Sequence, residues 1–237
     1  MPVDERRTLT FPLTPGRVFW IIVVCIAVLV LLHAVAVAAG LALHDRPYAY
    51  RAIHLDSEVS VGTWFAQALW LAAAVLLGVT GAVGRRVGDR WWRYWLGLSV
   101  LAVYLSIDEG AALHEQATPV VRRLTGLSSG VFAPAWILAA LAVGLVLLVV
   151  YARFLVGLPA RTRNLLLLGG AVAVAGAAGA EVGNVVYAAS HSTRSVGYHA
   201  LAGLEEALEK LGVGIAVVAL VDHVRRHVAP LAIALER

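Results

Sequence analysis

The chain has 237 residues, 60% of them hydrophobic and 14% charged, with a formal net charge of +4. A soluble domain carries about 25% charged residues, so this composition, with a mean hydropathy of +0.81, excludes an ordinary water-soluble fold. The basic residues gather in short loops, which is how membrane topology distributes them, so no nucleic-acid partner is expected, and the single cysteine, Cys25, excludes an internal disulfide.

A helix that crosses a bilayer needs ~20 mostly apolar residues. Residues 1–16 are polar, contain Pro2, Pro12 and Pro15, and read as a cytoplasmic tail with an interfacial piece near Phe11. Val18 to Leu43 is the first span, with His33 inside it, and is too long for a signal-peptide core. A polar loop, His44 to Ser60, carries Asp45, Arg46, Arg51, His54, Asp56 and Glu58. Gly62 to Val83 is the second span, opening with Thr63, Trp64 and Gln67. The basic loop Arg85–Arg90 follows, and Trp91, Trp92 and Trp95 mark the next membrane entry as an interface belt.

The third span runs from about Tyr94 to Gln116, and Pro119 to Gly130 reads as a loop. Val131 to Leu155, plain apolar sequence around Pro134, is the fourth span. The fifth, Leu165 to Ala189, is rich in glycine (Gly169, Gly170, Gly176, Gly179, Gly183), which lets helix backbones approach closely. The last, about Leu201 to Val224, leads into Arg225 and Arg226, and residues 229–237 form a second tail. The expected architecture is therefore all-α, a bundle of six transmembrane helices over residues 17–228 in a bacterial inner membrane. Both termini lie inside, because Arg85, Arg86, Arg90, Arg153, Arg161, Arg163, Arg225 and Arg226 then share one side. Internal repeats of the kind that mark transporters are not evident.

The acids fall on the other side. Asp108, Glu109, His114 and Glu115 lie within Ser106–Glu115, the stretch around which the site is expected to form. Counting ~1.5 Å per residue from each span's inner end puts Asp108, Glu181, Glu209 and His33 at one height, with Glu205, His114 and Glu115 a turn or two above. On ideal helices Asp108 and Glu115 share a face, Glu205 and Glu209 stack at i,i+4, and Glu206 faces Lys210. Ionisable groups inside a membrane segment mark function by default, and converging carboxyls need protons, a metal or basic partners. For single histidines the plainer reading holds: His33 as a satisfied bundle residue, and His44, His191, His223 and His227 as solvated or headgroup-facing.

Several chemistries fit. A divalent ion (Fe, Mn, Ca or Mg) held by His114, Glu115, Glu205 and Glu209 is the preferred one, with Asp108, Glu109 and Glu181 as catalytic groups of an enzyme acting on a lipid or other lipophilic substrate. The spacing for a ferritin-like site is lacking, since Glu181 and Glu206 are followed at i+3 by Asn184 and Glu209 rather than histidine. A proton- or cation-coupled transporter is the alternative. A second alternative is a general-acid enzyme using protonated carboxyls without metal, by the logic of membrane terpene cyclases.

Three segments together resemble a family of bacterial polytopic integral membrane proteins of unassigned activity. They are Asp56-Ser57-Glu58 with Thr63-Trp64-Phe65, Ser106-Ile107-Asp108-Glu109 with Leu113-His114-Glu115, and Glu205-Glu206-Ala207-Leu208-Glu209 with Leu211-Gly212. The resemblance implies that Asp56, Glu58 and Trp64 belong with the site, the first outer loop closing over it as a lid.

Overall fold

A computed structural model describes residues 14–42, 48–126 and 135–228. Phe11, His44, Asp45, Arg46, Pro134 and the tail 229–237 lie outside the described residues. All regular structure among the described residues is helical: α1 (Pro15–Ala42), α2 (Tyr48–Ile53), α3 (Val61–Val87), α4 (Trp92–Ala111), α5 (Leu113–Thr125), α6 (Trp136–Gly157), α7 (Ala160–Val174), α8 (Glu181–Ala188) and α9 (Val196–His223). A π-helical segment, Ala175–Ala180, joins α7 to α8 without a break in direction.

Four of these helices are long and apolar enough to cross a membrane: α1, α3, α6 and the continuous Ala160–Ala188. A fifth follows if α4 and α5, bent by 87°, count as one. At 28 residues α9 is as long as α1, but Glu205, Glu206, Glu209 and Lys210 keep it outside that set. The surface is inverted relative to a soluble protein. Trp20, Leu31, Val100 and Val149 are exposed, while His33, Asp108, Asn184, His199, Lys210 and Asp222 are buried.

The helix ends follow from local chemistry. Ser60 caps α3 by accepting the Thr63 amide at 3.1 Å. Gly88, at φ 77°, closes its far end in the left-handed region where only glycine is unstrained. Asp89 then accepts the Trp91 amide at 3.0 Å and turns the chain into α4. Along this α3–α4 hairpin, Ser99 donates to the Ala74 carbonyl (2.8 Å) and Ser106 to that of Gln67 (3.0 Å). These bonds fix the register up to the acidic stretch.

The hub of the bundle is α9, which packs against α1, α3, α7, α8 and the π segment. Small residues explain why α7 and α9 approach so closely. A Cβ on Gly212 would meet the Gly169 carbonyl at 2.6 Å, and one on Gly176 would meet the Glu209 amide at 2.9 Å. Gly170, Gly179 and Gly183 face open space, so two of the five glycines in that span make the contact.

Other expectations change. The loop before α3 contains α2, and the loop after Pro119 is the second half of α5, with Pro119 inside the helix. Trp95 is 2% exposed and packs edge-on against Phe154, so it is core rather than interface belt. Trp92 lies beneath Arg85 and Arg93, as a rim residue would. His223 is also buried: its ring lies 4.9 Å from that of Trp95, and its Nδ1 is 3.1 Å from the Thr162 hydroxyl. Beside it Asp222 accepts from both Arg161 and Arg226 at 2.9 Å. Between this basic end and the acidic end lies an apolar plug of Ile22, Ile26, Leu77, Trp95, Val217 and Leu220.

Candidate functional site

The third expected span breaks within the acidic stretch. Ala112 takes φ 46° and ψ 44°, which ends α4 and turns the chain into α5. The phase argument that put Asp108 and Glu115 on one face therefore fails. The break instead folds His114 back onto Asp108. Oδ1 of Asp108 accepts the His114 backbone N–H at 2.9 Å, capping the first turn of α5, and Oδ2 lies 2.9 Å from His114 Nδ1. With an ionised carboxylate, which only accepts, and a neutral imidazole, Nδ1 carries the proton and Nε2 is left as an acceptor. Asp108 is buried, whereas the His114 side chain is 35% exposed and its ring lies 4.6 Å from that of Trp136.

Glu58, Glu109 and Glu181 stand within the field of this pair. Glu181 lies near Trp136 and feels the charges of His114, Glu115 and Asp56. One turn along α8, the Asn184 amide nitrogen donates to Glu205 at 2.8 Å. On the deeper side Lys210, 1% exposed, is ion-paired with Glu206, as the i,i+4 spacing predicts. Glu109 and Glu209 stand in the field of the same ammonium. Lys210 thus offsets part of the charge of three carboxyls in a low-dielectric setting where unpaired charge is costly.

The rim is formed by the segment after α2. Asp56 and Glu58 are open to solvent on one side and crowded by protein and acids on the other. Burial, then the charges of Glu206, Glu58 and Glu115, pushes the Asp56 carboxyl up to about 6. Burial and Glu115 likewise raise that of Glu58. Of the three residues expected to form a lid, Asp56 and Glu58 stand in the field of the acids. Trp64 is 67% exposed and lies off the pocket, since its neighbours Gly62, Thr63 and Ala66 take the buried face of α3.

The expected metal ligands are not brought together. His114 is engaged by Asp108, Glu205 by Asn184, Glu209 lies deep near Lys210, and Glu115 is exposed on α5. Among the described residues no three His, Cys, Asp or Glu side chains converge to hold one ion.

His33 does not join the acidic layer. Its Nδ1 accepts the Leu55 amide at 3.1 Å, so Nε2–H donates to the His199 carbonyl at 2.9 Å. His54 Nε2 lies 3.3 Å from His199 Nδ1, and Tyr50 stacks on His54. This buried cluster ties α1, the α2 segment and the start of α9 together beside the site. The expectation of a satisfied bundle histidine holds for His33. The part played by His54 and His199 was not expected, because nothing local in sequence links residues 145 positions apart.

No curated protein and no solved structure matches the chain. Residues 20–224 match the family described as Domain of unknown function (DUF8692), and the chain belongs to that family.

Proposed function

We propose that this protein is an enzyme of the bacterial inner membrane that moves protons on a lipophilic substrate, with the Asp108–His114 pair as its base. Its topology is six spans, α9 supplying the sixth, with both termini on the side of the basic loops. The acidic site then opens toward the outer leaflet.

The observation that carries this reading is the double hydrogen bond from His114 to buried Asp108. It fixes one tautomer and one ring orientation, and leaves Nε2 bare on the accessible side. A carboxylate in that position orients a catalytic imidazole and stabilises the imidazolium as it forms. Nε2 takes a proton from water, whose oxygen bonds to a substrate carbon that bears a leaving group while the bond from that carbon to the leaving group breaks. Glu181, opposite His114 and steadied by Trp136, returns a proton to the departing group. Such positioned acid–base pairs contribute roughly 10²–10⁴-fold in rate. The Lys210 network with Glu109, Glu206 and Glu209 holds the floor of the site, and Asp56 and Glu58 guard its mouth.

The reading rests on proton transfer, because the pair Asp108–His114 is formed among the described residues and no group of three His, Cys, Asp or Glu is. The apolar cluster of Ile22, Ile26, Leu77, Trp95, Val217 and Leu220, lying between Lys210 and Asp222, counts against transport. The test is to incubate the purified protein in nanodiscs made from total bacterial lipid extract and to follow every lipid class by mass spectrometry. One class is expected to be converted by the native protein and spared by His114→Gln. Conversion by both, or by neither, contradicts the assignment.

A further inference from the structure

The basic end of the bundle holds a cleft that the acid–base chemistry does not use. It lies between α3 and α4, has a volume of about 510 Å³, and is lined by Ala82, Arg85, Arg86 and Leu96. The spacing 82, 85, 86 puts the three α3 residues on one face of that helix. The two helices are in contact beside the cleft, where a Cβ on Gly81 would meet the Leu96 side chain at 2.8 Å.

The arginines of this end are handled in two ways. Arg161 and Arg226 share the carboxylate of Asp222. Among the described residues, no carboxylate forms an ion pair with Arg85, Arg86, Arg90 or Arg93. Asp89, the one acid between residues 85 and 93, caps the Trp91 amide instead, so the stretch keeps four positive charges against one negative. Its guanidinium groups stand on aromatic rings: Arg85 and Arg93 over Trp92 at 5.3 and 5.1 Å, and Arg90 over Trp91 at 4.6 Å. A ring face orients a guanidinium without neutralising it. The N–H forks of Arg85 and Arg86 therefore remain for an anion, and that fork matches phosphate oxygens.

Depth identifies where the anion comes from. Ala82 lies five residues before the end of α3, a helix apolar enough to cross a membrane. That is about 7.5 Å along its axis, and a headgroup layer is roughly 5–8 Å thick on each side of a bilayer. The arginines thus stand at headgroup level, and Ala82 and Leu96 where hydrocarbon begins. A soluble anion would leave the apolar part of the cleft unfilled. A zwitterionic head would bring an ammonium group against the excess of arginine.

We propose that the α3–α4 cleft binds an anionic glycerophospholipid, its phosphate held by Arg85 and Arg86 and the start of an acyl chain lying on Ala82 and Leu96. Trp92 holds Arg85 at the rim. The site is at the opposite end of the bundle from the Asp108–His114 pair and does not depend on it.

The test is native mass spectrometry of the full-length protein, released from micelles doped with phosphatidylglycerol or phosphatidylcholine of identical chains, which reads the affinity for the first bound lipid. An arginine near an anionic headgroup is worth roughly fivefold in affinity. Phosphatidylglycerol is expected to bind at least tenfold tighter than phosphatidylcholine, and Arg85→Gln with Arg86→Gln to abolish that preference. Ala82→Trp keeps every charge and fills the cleft from an exposed position; it is expected to weaken phosphatidylglycerol binding at least fivefold. Arg163→Gln, beside Arg161, is the control and is expected to change binding less than twofold. Equal binding of the two lipids overturns the proposal. Unchanged binding in Ala82→Trp, or as large a loss in Arg163→Gln, overturns it by making the preference one of diffuse charge. Displacement of the lipid by free glycerol phosphate overturns it by assigning the cleft to a soluble anion.

Discussion

Nδ1 of His114 lies 2.9 Å from Oδ2 of Asp108 across a left-handed turn at Ala112, so two residues six positions apart form one unit. The turn is what makes the unit. On an unbroken α-helix, residues six apart lie about 120° apart around the axis and about 9 Å apart along it. An L-residue in the left-handed region costs roughly 1–2 kcal/mol, and the two bonds to Asp108 are what offset that strain. Ala112→Gly is therefore expected to raise stability by up to about 1 kcal/mol, measured by reversible unfolding in mixed micelles. Ala112→Val should lower it. Equal stability of the two variants would mean that the turn is not held as described.

Lys210 is the buried cation of the acidic end. Lys210→Met removes the partner of Glu206 and leaves Glu109 and Glu209 without a nearby ammonium. Breaking a buried pair from one side typically costs about 3–5 kcal/mol, whereas replacing both partners costs far less. The same unfolding assay should show Lys210→Met strongly destabilised, and Lys210→Met with Glu206→Gln restored toward the native protein. A double variant as unstable as the single would remove Glu206 as the residue that matters.

The α7–α9 contact has no room for a side chain. Gly212→Val puts carbon against the Gly169 carbonyl and the backbone of Ala173, neither of which moves cheaply. Overpacking of this kind costs about 1–3 kcal/mol. Gly170→Val, facing open space, is the control and should be near neutral. The pair can be compared by thermal melting in detergent, and similar losses in both would contradict close helix approach at Gly212.

The rim gives a pH dependence with a defined sign. The Asp56 carboxyl titrates at about 6 in the folded chain, against an ordinary 3.8, because of burial and then Glu206, Glu58 and Glu115. The folded state therefore holds this proton more tightly than the unfolded one. The contribution to stability is complete below 3.8 and is lost as pH rises through about 6. Melting temperatures at pH 5 and pH 7.5 should differ less in Asp56→Asn than in the native protein. An unchanged difference would place the pH response elsewhere.

Hydropathy made the apolar helices legible in the sequence, and residue spacing made the Glu206–Lys210 pair legible. The Ala112 break was not, because Ala-Ala-Leu contains neither glycine nor proline to announce it. Without the break, counting from the span entry put Asp108 and Glu115 on one face and hid the bond to His114. His33 is drawn to Leu55 and His199 by hydrogen bonds that no local pattern encodes. Trp95 and His223 were misplaced for a related reason. Aromatic and histidine residues near a span end read as interface from composition, whereas tertiary contact with Phe154 and Thr162 buries them.

The most direct test of the account is the rate of lipid conversion by Asp108→Asn relative to the native protein, in nanodiscs of bacterial lipid extract. Asparagine keeps the shape of the side chain but loses the charge that sets the His114 tautomer. The rate is predicted to fall by roughly 10²–10⁴-fold, with unchanged helical content and melting temperature within a few degrees. Conversion at the native rate by folded Asp108→Asn would contradict the claim that this pair is the base.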